Sequence, residues 1–89
     1  MKINVSSHFK RSYKKLPSRI KDDFDEKITV FMENPENNFL KAHKLKGRLQ
    51  KCLSFCLCNG YRVLFEFSDK KTVDLLDVGP HDKYKKWEK

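Results

Sequence analysis

Apolar positions recur along this chain with two different periods, and the change from one to the other divides it. In "KINVS", residues 2–6, Ile3 and Val5 alternate with polar neighbours, which predicts a short strand. Ser6 or Ser7 then offers a hydroxyl to cap a helix. Phe9, Tyr13 and Leu16 follow at i, i+4 and i+7, one helical face, until Pro17 interrupts it and can sit in the first turn of the next helix. The same period continues through Ile20, Phe24, Ile28 and Phe31 and ends at Asn34-Pro35. Asp22, Asp23, Asp25 and Glu26 lie in its first half, where the helix dipole favours negative charge.

After a polar connector at 35–47 the period falls to two. Leu49, Leu53, Phe55 and Leu57 share one parity, and Cys52, Ser54, Cys56 and Cys58 share the other. Asn59-Gly60 is a two-residue hairpin signal. It leads into "YRVLFEF", with Tyr61, Val63, Phe65 and Phe67 on one face and Arg62, Leu64 and Glu66 on the other. Ser68-Asp69-Lys70-Lys71 turns the chain into "TVDLLDVG", Gly79-Pro80 stops that strand, and "HDKYKKWEK" is a basic tail of one or two helical turns at most. The expected order is β-α-α-β-β-β, an α+β fold in which a helical hairpin packs on one face of a small antiparallel sheet. Arg62 then falls on the face the hairpin leaves open.

Composition narrows the picture. The 89 residues suit one domain, 1–89, with seven Phe, three Tyr and one Trp to fill a core. A net charge of +8, spread along the chain, favours a polyanionic partner. No apolar run approaches the ~20 residues of a spanning helix, so no membrane role is expected. The N-terminus "MKINVSSHFKRS" lacks the apolar segment of a secretory signal, which predicts a cytoplasmic protein. Three cysteines cannot all pair within one chain, and without a secretory signal they read as reduced thiols. Same-face residues of a strand stand ~7 Å apart, awkward for one tetrahedral zinc, so no metal site and no cofactor is expected.

Three segments in order, "HKLKG" at 43–47, "GYRVLFEF" at 60–67 and "LLDVGPHDKYKKW" at 75–87, resemble the RelE/ParE superfamily of bacterial toxins. The similarity is greatest to RelE-, YoeB- and YafQ-type mRNA interferases. It implies the toxin of a type II toxin–antitoxin system, a ribosome-dependent endoribonuclease that cuts mRNA at the A site by attack of the ribose 2′-hydroxyl, without a metal, and so inhibits translation. Partners implied are a cognate antitoxin, the ribosome and mRNA, with operator DNA reached only through the antitoxin. Two alternatives stay open: a ParE-like gyrase inhibitor without nuclease activity, or a degenerate member that binds only antitoxin or RNA.

The resemblance also assigns residues. Arg62 matches a strand arginine used on the transition-state phosphate, a task that suits a planar, always-charged fork. The bland alternative is a surface arginine paired with Glu66. His81 matches a catalytic histidine or arginine, and imidazole moves protons at neutral pH; otherwise it is an exposed loop histidine. Tyr84 matches an aromatic that stacks on or orients the substrate base, or else it anchors the tail. His43 matches a YafQ-like histidine. Lys44, Lys46, Arg48, Lys51 and Lys83 are candidate RNA-backbone contacts or a solvated basic surface. His8 reads as structural or surface. The chain departs from its relatives in three places. Leu53-Ser54-Phe55-Cys56 stands where RelE-like members carry lysines, the YafQ-like histidine near Cys56 and acid near Gly60 are absent, and Asp77 replaces a basic residue.

Overall fold

The computed structural model describes residues 1–45, 47 and 51–87; Lys46, Arg48 and Leu49 of the expectations above lie outside them. The elements run β1 (Lys2–Val5), α1 (Ser7–Lys14), α2 (Ser18–Glu33), β2 (His43–Lys44), β3 (Leu53–Cys56), β4 (Arg62–Asp69), β5 (Thr72–Gly79) and α3 (His81–Trp87). Ser6 is the α1 cap, its Oγ accepting from the Phe9 N–H at 3.0 Å. Pro17 stands just before α2, where its missing N–H costs nothing.

The strands form one sheet in the order β1-β5-β4-β3-β2. The meander β3-β4-β5 is antiparallel, as alternation and turn chemistry predict. The sheet as a whole is mixed, because β1 pairs parallel to β5, Lys2 opposite Thr72 through Val5 opposite Leu75. Alternation marks a strand but carries no information about the direction of a distant partner. The connector is also more than a linker: His43 and Lys44 pair with Ser54 and Leu53 as an edge strand too short to show a period.

Helices cover both faces. Phe9, Leu16, Ile20, Phe24 and Phe31 of the helical hairpin bury themselves against Phe55, Val63, Phe65, Val73, Leu75 and Val78. Phe31 sits at the centre, its ring 5.3 Å from that of Phe55 and 5.0 Å from that of Phe65. The opposite face, expected to remain open, is partly closed by α3, whose Tyr84 and Trp87 join Leu45, Cys52, Leu64 and Leu76. Three helices therefore pack on a mixed five-stranded sheet. No helix among the described residues is long and apolar enough to cross a membrane.

Two local features decide where the site forms. At the β3–β4 turn Asn59 (φ 57°) and Gly60 (φ 78°) both adopt left-handed backbone, and Tyr61 N–H donates to the Cys58 carbonyl at 3.2 Å. From α2, an Asp23 carboxylate oxygen accepts from the Cys58 N–H at 2.7 Å, so one residue of the acidic run holds this turn. Gly60→Ala meets nothing closer than His81 Cβ at 3.8 Å, so its penalty is backbone strain alone. The expected loss is about 1 kcal/mol, read as a drop of roughly 4–8 °C in the melting midpoint. The second feature is a bulge in β5. Leu64 pairs with Asp77 but Phe65 with Leu75, which leaves Leu76 as the extra residue. The bulge turns Asp77 out of the Val73/Leu75 row and onto the face that α3 covers.

Candidate active site

Pairing register brings the polar residues of this second face into two rows. His43, Ser54, Leu64 and Asp77 lie opposite one another across β2, β3, β4 and β5. In the neighbouring row Cys56, Arg62 and Gly79 face each other across β3, β4 and β5. Arg62 reaches diagonally from the second row to the first. Its Nε donates to Ser54 Oγ at 2.9 Å and its Nη1 to Cys56 Sγ at 2.9 Å. Nη2 lies 3.2 Å and 3.3 Å from the two ring nitrogens of His43. The guanidinium carbon stands 4.5 Å above the centre of the Tyr84 ring, within cation–π range. Freezing an arginine side chain costs about 2 kcal/mol of rotamer entropy; the charged bond to Ser54 alone is worth about 1.5–3 kcal/mol and offsets it.

These partners are a hydroxyl, a thiol, an imidazole and an aromatic ring. Among the described residues no carboxylate forms an ion pair with Arg62. Glu66, two positions along the same face, accepts instead from the Cys52 thiol at 3.8 Å. Burial, with Glu66 beside it, pushes the Cys52 thiol up, which keeps it protonated. The arginine is thus fixed in direction while no carboxylate of the described residues compensates its charge.

His43 and Tyr84 form the next link, with Nε2 2.9 Å from the Tyr84 hydroxyl and Nδ1 3.3 Å from the Lys41 carbonyl oxygen. With its proton on Nδ1 the ring donates to Lys41 and accepts from the tyrosine. With the proton on Nε2 it donates to the phenol oxygen, and Nδ1 accepts from Arg62. Either way a proton can pass between imidazole and phenol beside the guanidinium. His81, the first residue of α3, is exposed, its ring 6.1 Å from that of Tyr84. The structure brings Arg62, His43, Tyr84 and His81 into one cluster, joining elements 41 positions apart in sequence.

A family model described as the ParE-like toxin of type II bacterial toxin–antitoxin systems matches residues 3–89. The chain belongs to this toxin family. Solved structures share the toxin's fold. The YoeB/ParE toxin from Agrobacterium tumefaciens matches with a TM-score of 0.74 at 16% identity, over 91% of this chain and 99% of that one. YafQ from E. coli matches with a TM-score of 0.77 at 15% identity, over 91% and 93% of the two chains. The RelBE2 toxin–antitoxin complex from Mycobacterium tuberculosis matches with 0.72 at 22% identity, over 89% and 95%. At such identities the likeness is one of fold. No curated protein matches the toxin significantly.

The remaining candidates are scattered. Lys44 on β2 and Lys51 before β3 are exposed on the edge of the sheet that carries His43. Lys83 is engaged elsewhere: its Nζ lies 2.9 Å from Asp77 Oδ1 and 2.8 Å from Ser12 Oγ. Lys46 and Arg48 lie outside the described residues. Among those residues no three His, Cys, Asp or Glu are grouped to hold a metal.

Asp77 is the anchor of the toxin's α3, although as a sequence position it looks only like a missing basic residue. Its carboxylate accepts from Ser12 Oγ at 2.7 Å, Val78 N–H at 2.8 Å and Trp87 Nε1 at 3.1 Å, besides Lys83. His8 Nε2 stands 3.2 Å from Oδ2, which gives that histidine a structural contact. Burial raises the Asp77 carboxyl, but the bonds from Lys83, Ser12 and Val78 outweigh it and set it below the usual carboxylate range. Tyr84 and His81 ride on the helix thus tied down.

Proposed function

We propose that the toxin is a ribosome-dependent endoribonuclease that cuts mRNA at the A site and so stops translation. In this reaction the ribose 2′-hydroxyl loses its proton and attacks the adjacent phosphorus. The phosphorane collapses to a 2′,3′-cyclic phosphate, and the departing 5′-oxygen takes up a proton. Arg62 stabilises the dianionic phosphorane, where a fixed donor of full charge is worth most. His81, at the exposed rim, is the preferred acid or base. Tyr84 orients the scissile nucleotide against the guanidinium and relays protons with His43. Lys44 and Lys51 contact RNA backbone, and the basic surface as a whole favours approach to ribosomal RNA.

The observation that carries this reading is the Arg62 guanidinium, directed by Ser54, Cys56 and Tyr84 with no carboxylate of the described residues on it. The RelBE2 structure is of a toxin with its antitoxin. By analogy we expect a cognate antitoxin here, an acidic or amphipathic segment that covers the basic surface and occludes Arg62, with any operator DNA bound through the antitoxin. Expression in the cytoplasm, where ribosomes are, follows from the same reading.

The test is primer extension on a defined mRNA carried by programmed ribosomes, with naked mRNA beside it. Cuts that need the ribosome support the reading. Intact mRNA with folded protein overturns it, and inhibition of gyrase supercoiling by the same preparation would establish the ParE-like alternative. Tyr84→Phe retains the ring under Arg62 but loses the hydroxyl that meets His43. Its single-turnover cleavage rate is expected to fall about tenfold or more, with an unchanged melting midpoint.

A further inference from the structure

Beyond the residues that meet substrate, we propose that Ser54 and Cys56 are the positioning residues of the reaction, a neutral cradle that aims Arg62. The proposal rests on the endoribonuclease reading above. Three observations converge on it. Ser54 is fully buried and Cys56 half-buried, and both point onto the face of the sheet that carries Arg62. Their bonds fall on two different nitrogens, Nε and Nη1, which defines the plane of the guanidinium rather than one contact point. On the other flank the pairing partner of Arg62 is Gly79, which offers no side chain to compete.

The chemistry of the cradle matters as much as its geometry. A carboxylate at position 54 or 56 would hold the arginine more tightly, but it would also cancel the charge that a phosphorane needs. A hydroxyl and a thiol accept hydrogen bonds without carrying charge, and the thiol is a weak acceptor. The guanidinium is therefore oriented and keeps its full charge for an oxyanion. The same two positions lie in the strand segment where RelE-like members carry lysines, so this chain fills it with acceptors for one cation rather than with further cations.

Cys56→Ala and Ser54→Ala test this, with Cys56→Ser as the conservative replacement and Arg62→Ala as the reference, all on programmed ribosomes. Each alanine variant is expected to lower the single-turnover rate ten- to a hundredfold with little change in half-saturating ribosome concentration, and Cys56→Ser to recover most of it. The Cys56→Ala/Arg62→Ala double variant is expected to be no slower than Arg62→Ala alone. A readout independent of activity is the Arg62 Nε–Hε proton by nitrogen-15 NMR, which should exchange faster with water in Ser54→Ala. If Arg62→Ala is inactive while both cradle variants cleave at the parental rate, the cradle proposal falls and the endoribonuclease reading stands. If Arg62→Ala itself cleaves at the parental rate, the role of the arginine falls and the cradle with it.

Discussion

Arg62→Ala is expected to abolish the proposed ribosome-dependent cleavage, by about 10²–10³ in rate, and to leave a folded protein behind. The magnitude is that of removing one preorganised donor from a developing oxyanion. The fold tolerates the change because Arg62 is only half-buried and no ion pair of the described residues depends on it; a stability change within about 1 kcal/mol is expected. Arg62→Lys is the sharper comparison. One ammonium cannot bond Ser54 and Cys56, lie over Tyr84 and still present a donor to phosphate, so lysine recovers less than a tenth of the rate. Time courses of primer extension on programmed ribosomes, beside thermal denaturation, measure both halves. Parental cleavage by a folded alanine variant would return Arg62 to the status of a surface charge.

Asp77→Asn acts on stability first. The substitution keeps the shape but removes the charge that answers Lys83, and it turns an amide donor toward a site already supplied with donors from Ser12, Trp87 and Lys83. Because the carboxylate is buried while Lys83 is one-third exposed, the loss should be about 3 kcal/mol, the lower end of the cost of breaking a buried pair. That lowers the melting midpoint by on the order of 15 °C. The acid dependence follows from the depressed carboxyl. Its contribution is fully present above the unfolded carboxylate value of about 3.9 and is lost as pH falls through the lower value of the folded state. The gap in stability between parent and Asn variant should therefore be widest at pH 5 and narrower at pH 3. A gap that stays constant between those two values would show that the charge on Asp77 contributes nothing. Cleavage should also decline in this variant, since α3 carries Tyr84 and His81 over Arg62.

Much of this architecture is written in local patterns. Period 3.6 in the aromatic residues yields α1 and α2, and period two yields the faces of β3 and β4. Asn59-Gly60 yields the turn, because both residues accept the left-handed backbone it demands. What escaped depends on distance or on brevity. The parallel partner of β1 lies at the far end of the chain, and a two-residue strand such as β2 shows no period at all. Basic residues between Tyr84 and Trp87 disguise the apolar stripe of α3, and nothing local marks Asp77 as its anchor. For the candidate site, alternation places Arg62 on the right face, and the family resemblance supplies His43, His81 and Tyr84. Ser54 and Cys56 were within reach as well. Keeping the apolar residues of β3 and β4 on one face requires Cys56 across from Arg62, with a three-residue loop at 58–60 that Leu57 N–H closes onto the Tyr61 carbonyl. The two-residue turn that Asn59-Gly60 suggests would instead set Cys56 across from Val63, and the thiols look like small buried apolar groups until the true register is drawn.

The pairing of β1 with β5 also sets an order of events. Asn4 bonds Asp74 across a separation of 70 residues, a closure that local hairpins do not require. During synthesis β1 emerges first and has no neighbour until residues 72–75 follow. Arg62 meets Ser54 and Cys56 within a local hairpin, but it gains Tyr84 only after Asp77 and the helix beyond it have been made. On the proposed function a nascent chain would lack the completed site until α3 docks, and that interval would be open for an antitoxin to take hold.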